Sequence, residues 1–283
     1  MKFVPRAFDH AVLPVESLAM ARDRHQALGF TVAPDAQHPF GTENCCVFFK
    51  DGTYLEPLAV NQREDCERTA LRGNQFTLRD QTYRFRNGDH GFSAIALKSE
   101  NADADHKRFQ AEGISAGRKL SFSRTFKKPD GEKQKASFKL SFAGDLRAPD
   151  FFGFTVERIQ MPAAGATGLT VHDNGVSELK EVILCETNPT DFQYFLQAFS
   201  RQRETQAHSF GMELRLGSVT LNVMTPEGLR AHFGLEPSGS GRGLRLEGLV
   251  FKGGAVAGLR AHGRYQIADR TPGQGAFYAF LEE

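Results

Sequence analysis

Apolar and polar residues alternate from Phe8 to Val15 (FDHAVLPV), the period-two pattern of a β-strand with two different faces. The stretch from Leu18 to Leu28 then has apolar spacing suited to a helix, and Gly29 supplies its stop. A second strand and a loop follow (TVAPDAQHPFGTEN), then strand CCVFF, a turn at Asp51-Gly52 and strand TYLEPLAV. The same order returns from residue 91: GFSAIALKS, ADADHKRFQAEGI, a hairpin on Pro129-Asp130-Gly131, and FFGFTVERI. It returns again from 178 (ELKEVILCE, TDFQYFLQAFSR, MELRL, SVTLNVM) and from 244 (LRLEGLVFKG, AVAGLRAHG, YQIAD, AFYAFLEE). Leu28-Gly29-Phe30 aligns with Glu112-Gly113-Ile114 without a gap. Recurrence of one element order marks an internal repeat. The predicted fold is therefore α+β, with βαβββ modules forming curled mixed sheets, two cups from four modules. Residues 1–165 are expected to hold one module pair and the site, and residues 166–283 a second, degenerate pair.

Strand alternation also predicts which side chains face a cup. Ala11, Leu13 and Val15 suit packing on the module's own helix, which leaves His10, Val12 and Pro14 facing the concavity. Two modules side by side would close an eight-stranded cup onto which those inward faces converge.

Composition narrows the partners. The 283 residues are 40% hydrophobic and 24% charged, an ordinary globular balance. A net charge of +1 offers no field to hold nucleic acid or an anionic membrane. No apolar run approaches the roughly 20 residues of a membrane span. The N-terminus has a proline and an aspartate where a secretory signal would carry its apolar stretch, so the cytoplasm is the expected compartment. Cys45, Cys46, Cys66 and Cys185 match neither a CxxC metal site nor a disulfide framework, and reduced thiols are expected. The run RKLSFSRTFKKPDGEKQKASFKLSF alternates Phe with Lys or Arg, which a hairpin with one apolar and one charged face explains. The partner class left is a small-molecule substrate, and a homodimer is compatible with the sequence.

FDHAVLPV, HPFGTEN and DGTYLEPLAV, with GDHGFSAIALKS, FFGFTVERI and HDNGV further on, resemble the glyoxalase-like branch of the vicinal oxygen chelate superfamily. The resemblance implies a divalent metal in the cup (Zn, Mn, Fe or Ni) polarising substrate oxygens, held by first-strand and fourth-strand residues of paired modules. Carried over position by position, it makes His10, Glu56 and Glu157 the metal ligands, with Glu56 or Glu157 as ligand or general base. It also implies a departure, because Ala94 aligns with His10 and alanine binds no metal; His90 could reach only from the strand's lip. Lys98 is expected on the inward face, to meet a substrate anion or to pair with Glu157. His38 and Asn44 lie in a loop at the cup rim and are candidates for substrate binding, against a plain tight turn. His172, in a linker turn, is a weaker candidate. Glu181, Asn222 and Glu282 are the equivalent positions of the second half, which has no histidine at any of them. The implied function is metal-assisted isomerase- or lyase-type chemistry on a small oxygenated compound, with non-catalytic binding or sequestration as the alternative.

Overall fold

The computed structural model describes residues 4–127, 133–160, 168–254 and 256–281. The hairpin turn expected at Pro129-Asp130-Gly131, and Glu282, lie outside them.

Module one comprises β1 (Phe8–Pro14), α1 (Leu18–Ala27), β2 (Ala36–Gln37), β3 (Thr42–Asn44), β4 (Val47–Phe48) and β5 (Tyr54–Val60). Two helices follow, α2 (Arg63–Leu71) and α3 (Gln75–Asn87). Module two is β6 (Ala94–Ser99), α4 (Ala102–Ala111), β7 (Leu120–Lys127), β8 (Lys133–Ala143) and β9 (Phe152–Gln160). Module three is β10 (Glu178–Cys185), α5 (Gln193–Ser200), β11 (Gln206–His208), β12 (Gly211–Leu216) and β13 (Val219–Met224). Helix α6 (Pro226–Phe233) leads to module four: β14 (Arg245–Lys252), β15 (Arg260–His262), β16 (Tyr265–Ala268) and β17 (Phe277–Leu281).

Each half is one curled mixed sheet. The first runs β2-β3-β5-β1-β6-β9-β8-β7 with β4 also on β5, the second β11-β12-β13-β10-β14-β17-β16-β15. In both halves the two module-opening strands pair antiparallel (β1 with β6, β10 with β14), and each pairs parallel with its own module's last strand.

Local chemistry explains the elements. Ser17 caps α1 by accepting from the Met20 N–H. Beyond α1, Gly29 sits at φ +78°, and a Cβ there would lie 2.8 Å from the Asn174 Cβ, so this helix stop is also a contact between the halves. Ala11, Leu13 and Val15 join a core that includes Val182, Leu249, Phe251 and Tyr278 of the second half, so the helix-side faces of both sheets share one apolar interior. The concave faces form separate clusters, Val12, Ala94, Ala96, Phe142, Phe154 and Val156 in the first cup and Ile183, Val250, Ile267 and Phe277 in the second.

Two sequence expectations are corrected, and helices α2, α3 and α6 stand where no element was expected. The AVAGLRAHG stretch is not a helix among the described residues: turns lead from β14 directly to β15. Glycines at 253, 254, 258 and 263 all take positive φ around and within it, which an α-helix does not tolerate. Thr42–Asn44 of the HPFGTEN loop is a strand, with Asn44 opposite Leu58 of β5. Finally, the residues after β5 and β13 form helices. Phe76 of α3 enters the first cup, and Leu229 and Phe233 of α6 plug the second. No helix among the described residues is long and apolar enough to cross a membrane.

Candidate functional site

The first cup gathers its polar groups at one place because of strand register. Pairing of β1 with β5 sets His10 opposite Tyr54 and Val12 opposite Glu56, so His10 and Glu56 lie on the same face as diagonal neighbours. His10 Nε2 lies 3.2 Å from Glu56 Oε2. Asn44, from the neighbouring β3, donates its amide to Glu56 Oε1 at 2.5 Å. His38 Nε2 faces that same oxygen at 3.7 Å, and His38 Nδ1 is anchored on Thr42 Oγ1 at 2.9 Å.

A break in register supplies the group behind His10. Between Phe8 and His10 the pairing of β1 with β6 slips, and Asp9 is the extra residue of this bulge. Its carboxylate is fully buried and meets His10 Nδ1 at 2.6 Å. Arg158 of β9 clamps both Asp9 oxygens, at 2.5 and 2.8 Å. Tyr54 stacks on the His10 ring at 4.4 Å. The cavity over this cluster is about 40 Å³, walled by Phe40, Phe76, Phe122, Phe138 and Phe154, with Arg124 at its edge.

The electrostatics follow from burial set against these contacts. Burial alone would lift the Glu56 carboxyl, but the His10 hydrogen bond and charge, His38 and Asn44 outweigh it and bring it to about 2. Burial likewise opposes the Asp9 charge, and the bonds from His10 and Arg158 win, leaving it at about 2. For His10, burial favours the neutral ring, yet the hydrogen bonds to Asp9 and Glu56 raise its pKa. His38 is dominated by burial and falls to about 4, so it is a neutral imidazole near neutral pH. The cup therefore holds the carboxylates of Asp9 and Glu56, the imidazoles of His10 and His38, and the guanidiniums of Arg158 and Arg124.

Of the residues expected from sequence, the structure brings His10, Glu56, His38 and Asn44 together. It does not bring Glu157 or Lys98 to them. On β9 the cup-facing side chain is Val156, and Glu157 lies on the opposite face, where its carboxylate accepts the Ala102 N–H at 2.8 Å at the start of α4. Lys98 is opposite Val156, its ammonium lies beside Gly52, and it does not line the cavity. With Lys98 and Glu157 on opposite faces of the sheet, the expected pair between them has no geometry. Across the pairing of β1 with β6, His10 meets Ala96 and Val12 meets Ala94, the register expected if Ala94 is the counterpart of His10; both alanines belong to the apolar cup wall. His90 accepts from the Gly273 N–H at 3.3 Å, tying the two halves together. His172 bridges the Thr31 N–H and the Phe48 carbonyl at 3.0 and 3.1 Å, a structural bolt.

Glu157→Ala is accordingly expected to cost about 1 kcal/mol of stability through the lost helix cap. Ligand binding in the cup should be untouched, as titration of any cup ligand into the variant would reveal.

The second cup reproduces the register with different chemistry. Glu181 takes the place of His10, opposite Thr220, and Asn222 that of Glu56, opposite Ile183. Asn222 Nδ2 lies 3.2 Å from Glu181 and 3.4 Å from Glu213, while His208 Nε2 lies 3.2 Å from Asn222 Oδ1. The sequence reading missed His208, which comes from a short preceding strand much as His38 does. It also missed Asp9, Arg158 and Tyr54. Asp9 stood in the sequence beside His10, but it reaches the cluster through a bulge, which leaves no mark in composition.

The expected metal set of His10, Glu56 and Glu157 does not assemble. Among the described residues no group of three or more His, Cys, Asp or Glu side chains is arranged to hold a metal ion. Glu56 instead receives a hydrogen bond or ion pair on each oxygen from within the cup.

A family model described as a glyoxalase-like domain matches residues 8–199. No curated protein matches the sequence. Among solved structures, a hypothetical protein from Staphylococcus aureus superposes with TM-score 0.70 at 15% identity, covering 97% of this chain and 98% of its own. A 4-hydroxymandelate synthase variant from Streptomyces coelicolor follows at 0.59 and 13%, covering 98% and 92%. The Mn(II)-bound glyoxalase from Novosphingobium aromaticivorans gives 0.51 and 11%, covering 99% and 84%. At these identities the likeness is one of fold.

Proposed function

Because the chain belongs to the glyoxalase-like domain family of the vicinal oxygen chelate superfamily, we propose that its first cup binds a small oxygenated molecule and moves a proton on it, in isomerase- or lyase-type chemistry. The observation that carries this reading is the buried His10–Glu56 pair at the base of an aromatic-walled cavity, with His38 and Asn44 converging on the same carboxylate. Buried charged pairs at the floor of a cleft are where acid–base work is usually done.

In the resting cup Glu56 is a poor base, because its charge is neutralised by His10. A hydroxyl or carbonyl oxygen entering between the two changes that. His10 turns its Nε2–H onto the substrate oxygen and polarises it. Glu56 loses its cation while staying buried, so its pKa climbs and it can take the proton from the adjacent carbon. His38 and Asn44 hold the carboxylate in place, and the phenylalanines exclude water. The Zn, Mn, Fe or Ni ion implied by the resemblance finds no assembled donor set among the described residues, and no step is routed through it. Four buried, unpaired thiols fit the cytoplasm as the working compartment.

The test uses a panel of small α-hydroxy and α-keto carbonyl compounds incubated with the protein in D₂O. Proton NMR should show catalysed exchange of the C–H next to the carbonyl in at least one of them. Glu56→Gln should slow that exchange by about 10²-fold or more. Equal exchange by the variant would remove Glu56 from the chemistry. The second reading, a non-catalytic binder, draws on the cavity's small volume of about 40 Å³. Ligand-induced shifts of the His10 and His38 resonances without any exchange would favour it.

A further inference from the structure

We infer that the first cup of this chain works without a resident metal ion, because the donor set that would hold one does not assemble around His10 and Glu56 among the described residues. The inference shares with the proposed function only the cup in which both are placed.

The first argument is the surroundings of His10. Nδ1 is hydrogen-bonded to Asp9 at 2.6 Å, and Nε2 lies 3.2 Å from Glu56. The ring is enclosed by a carboxylate on either side, with Tyr54 stacked on its face at 4.4 Å. A carboxylate behind an imidazole is also how metal sites orient their histidines. Here the difference lies in front of the ring, where the outward nitrogen meets a second carboxylate whose other oxygen Asn44 already occupies.

The second argument is the facing wall. The strands of module two that complete the cup present Ala94 and Ala96 from β6, and Phe154 and Val156 from β9. None of these carries a donor atom. The one carboxylate on β9 that could have served, Glu157, lies on the other face at the start of α4. Any ion would have to be held from module one alone.

The third is charge. Asp9 is committed to Arg158, which leaves Glu56 as the cup carboxylate to answer an ion, with the Arg124 guanidinium at the cavity edge. A divalent ion held there would be undercompensated among phenylalanines, which is unfavourable.

The experiment combines elemental analysis with a metal-independent readout. The full chain is purified without chelator and without a metal-binding tag, and its content of Zn, Mn, Fe and Ni is measured. It is then titrated with each ion while its melting midpoint is followed. The expected result is well under about one ion per ten chains, and no midpoint shift that Glu56→Gln abolishes. About one ion per chain, lost in Glu56→Gln and His10→Gln variants that keep the wild-type circular dichroism spectrum, would overturn the inference. Deuterium exchange separates this from the proposed function. Exchange that survives chelator supports both. Exchange lost with chelator and restored by one of these ions overturns the inference and leaves the function standing. Metal-free protein that binds ligands but exchanges nothing supports the inference and sinks the function.

Discussion

Arg158→Met is expected to cost about 3–5 kcal/mol of folding stability, read as a lowered midpoint in urea or guanidinium unfolding. The size comes from what stays behind. Asp9 is fully buried, and Arg158 is the cation that answers both of its oxygens. Removing the guanidinium leaves a carboxylate in a low-dielectric wall with only the His10 ring beside it. The partner change supplies the control: Asp9→Asn in the Arg158→Met background removes the stranded charge and should recover most of the loss. If Arg158→Met alone moves stability by less than about 1 kcal/mol, the pair is behaving as an exposed ion pair, and the commitment of Asp9 to Arg158 argued for the cup fails with it.

How much of this was legible in the sequence depends on what each feature rests on. The alternation in FDHAVLPV assigned Ala11, Leu13 and Val15 to the helix side and Val12 to the cup, as found, because a strand buried on both faces still sorts its side chains by parity. The equivalence of Glu181 and Asn222 with His10 and Glu56 was legible for the same reason, since matched registers follow from matched modules. Parity fails wherever the register slips. Asp9 gained its role at a bulge, and a one-residue difference on β9 put Val156 in the cup and Glu157 behind it. The fourth helix failed on glycine: AVAGLRAHG has helical apolar spacing, but the glycines in and before it take left-handed conformations. Phe76 was beyond reach because it arrives from α3, an insertion between modules that the repeat pattern passes over.

Acid should unfold this protein in two overlapping stages whose signs can be worked out group by group. His38 and His25 are both pushed down to about 4 by burial, from an ordinary value of 6.5. The unfolded chain therefore takes up their protons first, and stability falls as pH drops from about 6.5 to about 4. Asp9 and Glu56 are held at about 2, below ordinary values of 3.8 and 4.5. Their contribution is present above the ordinary carboxylate range and is lost as pH falls through it towards 2. His10 acts in the opposite sense. With its pKa raised, its contribution is complete below 6.5 and is lost only as pH rises through its folded value. It therefore cannot offset the acid losses, and together with the other groups it places maximum stability near neutrality. Each stage is expected to remove on the order of 2–3 kcal/mol per group, measured as denaturant midpoints at a series of pH values. His38→Gln should roughly halve the upper stage, leaving the part due to His25, whereas Glu56→Gln should roughly halve the lower stage, leaving the part due to Asp9. A wild-type curve that is level from pH 7 down to about 4 would mean that the two buried imidazoles titrate alike in the folded and unfolded chains, contrary to their burial.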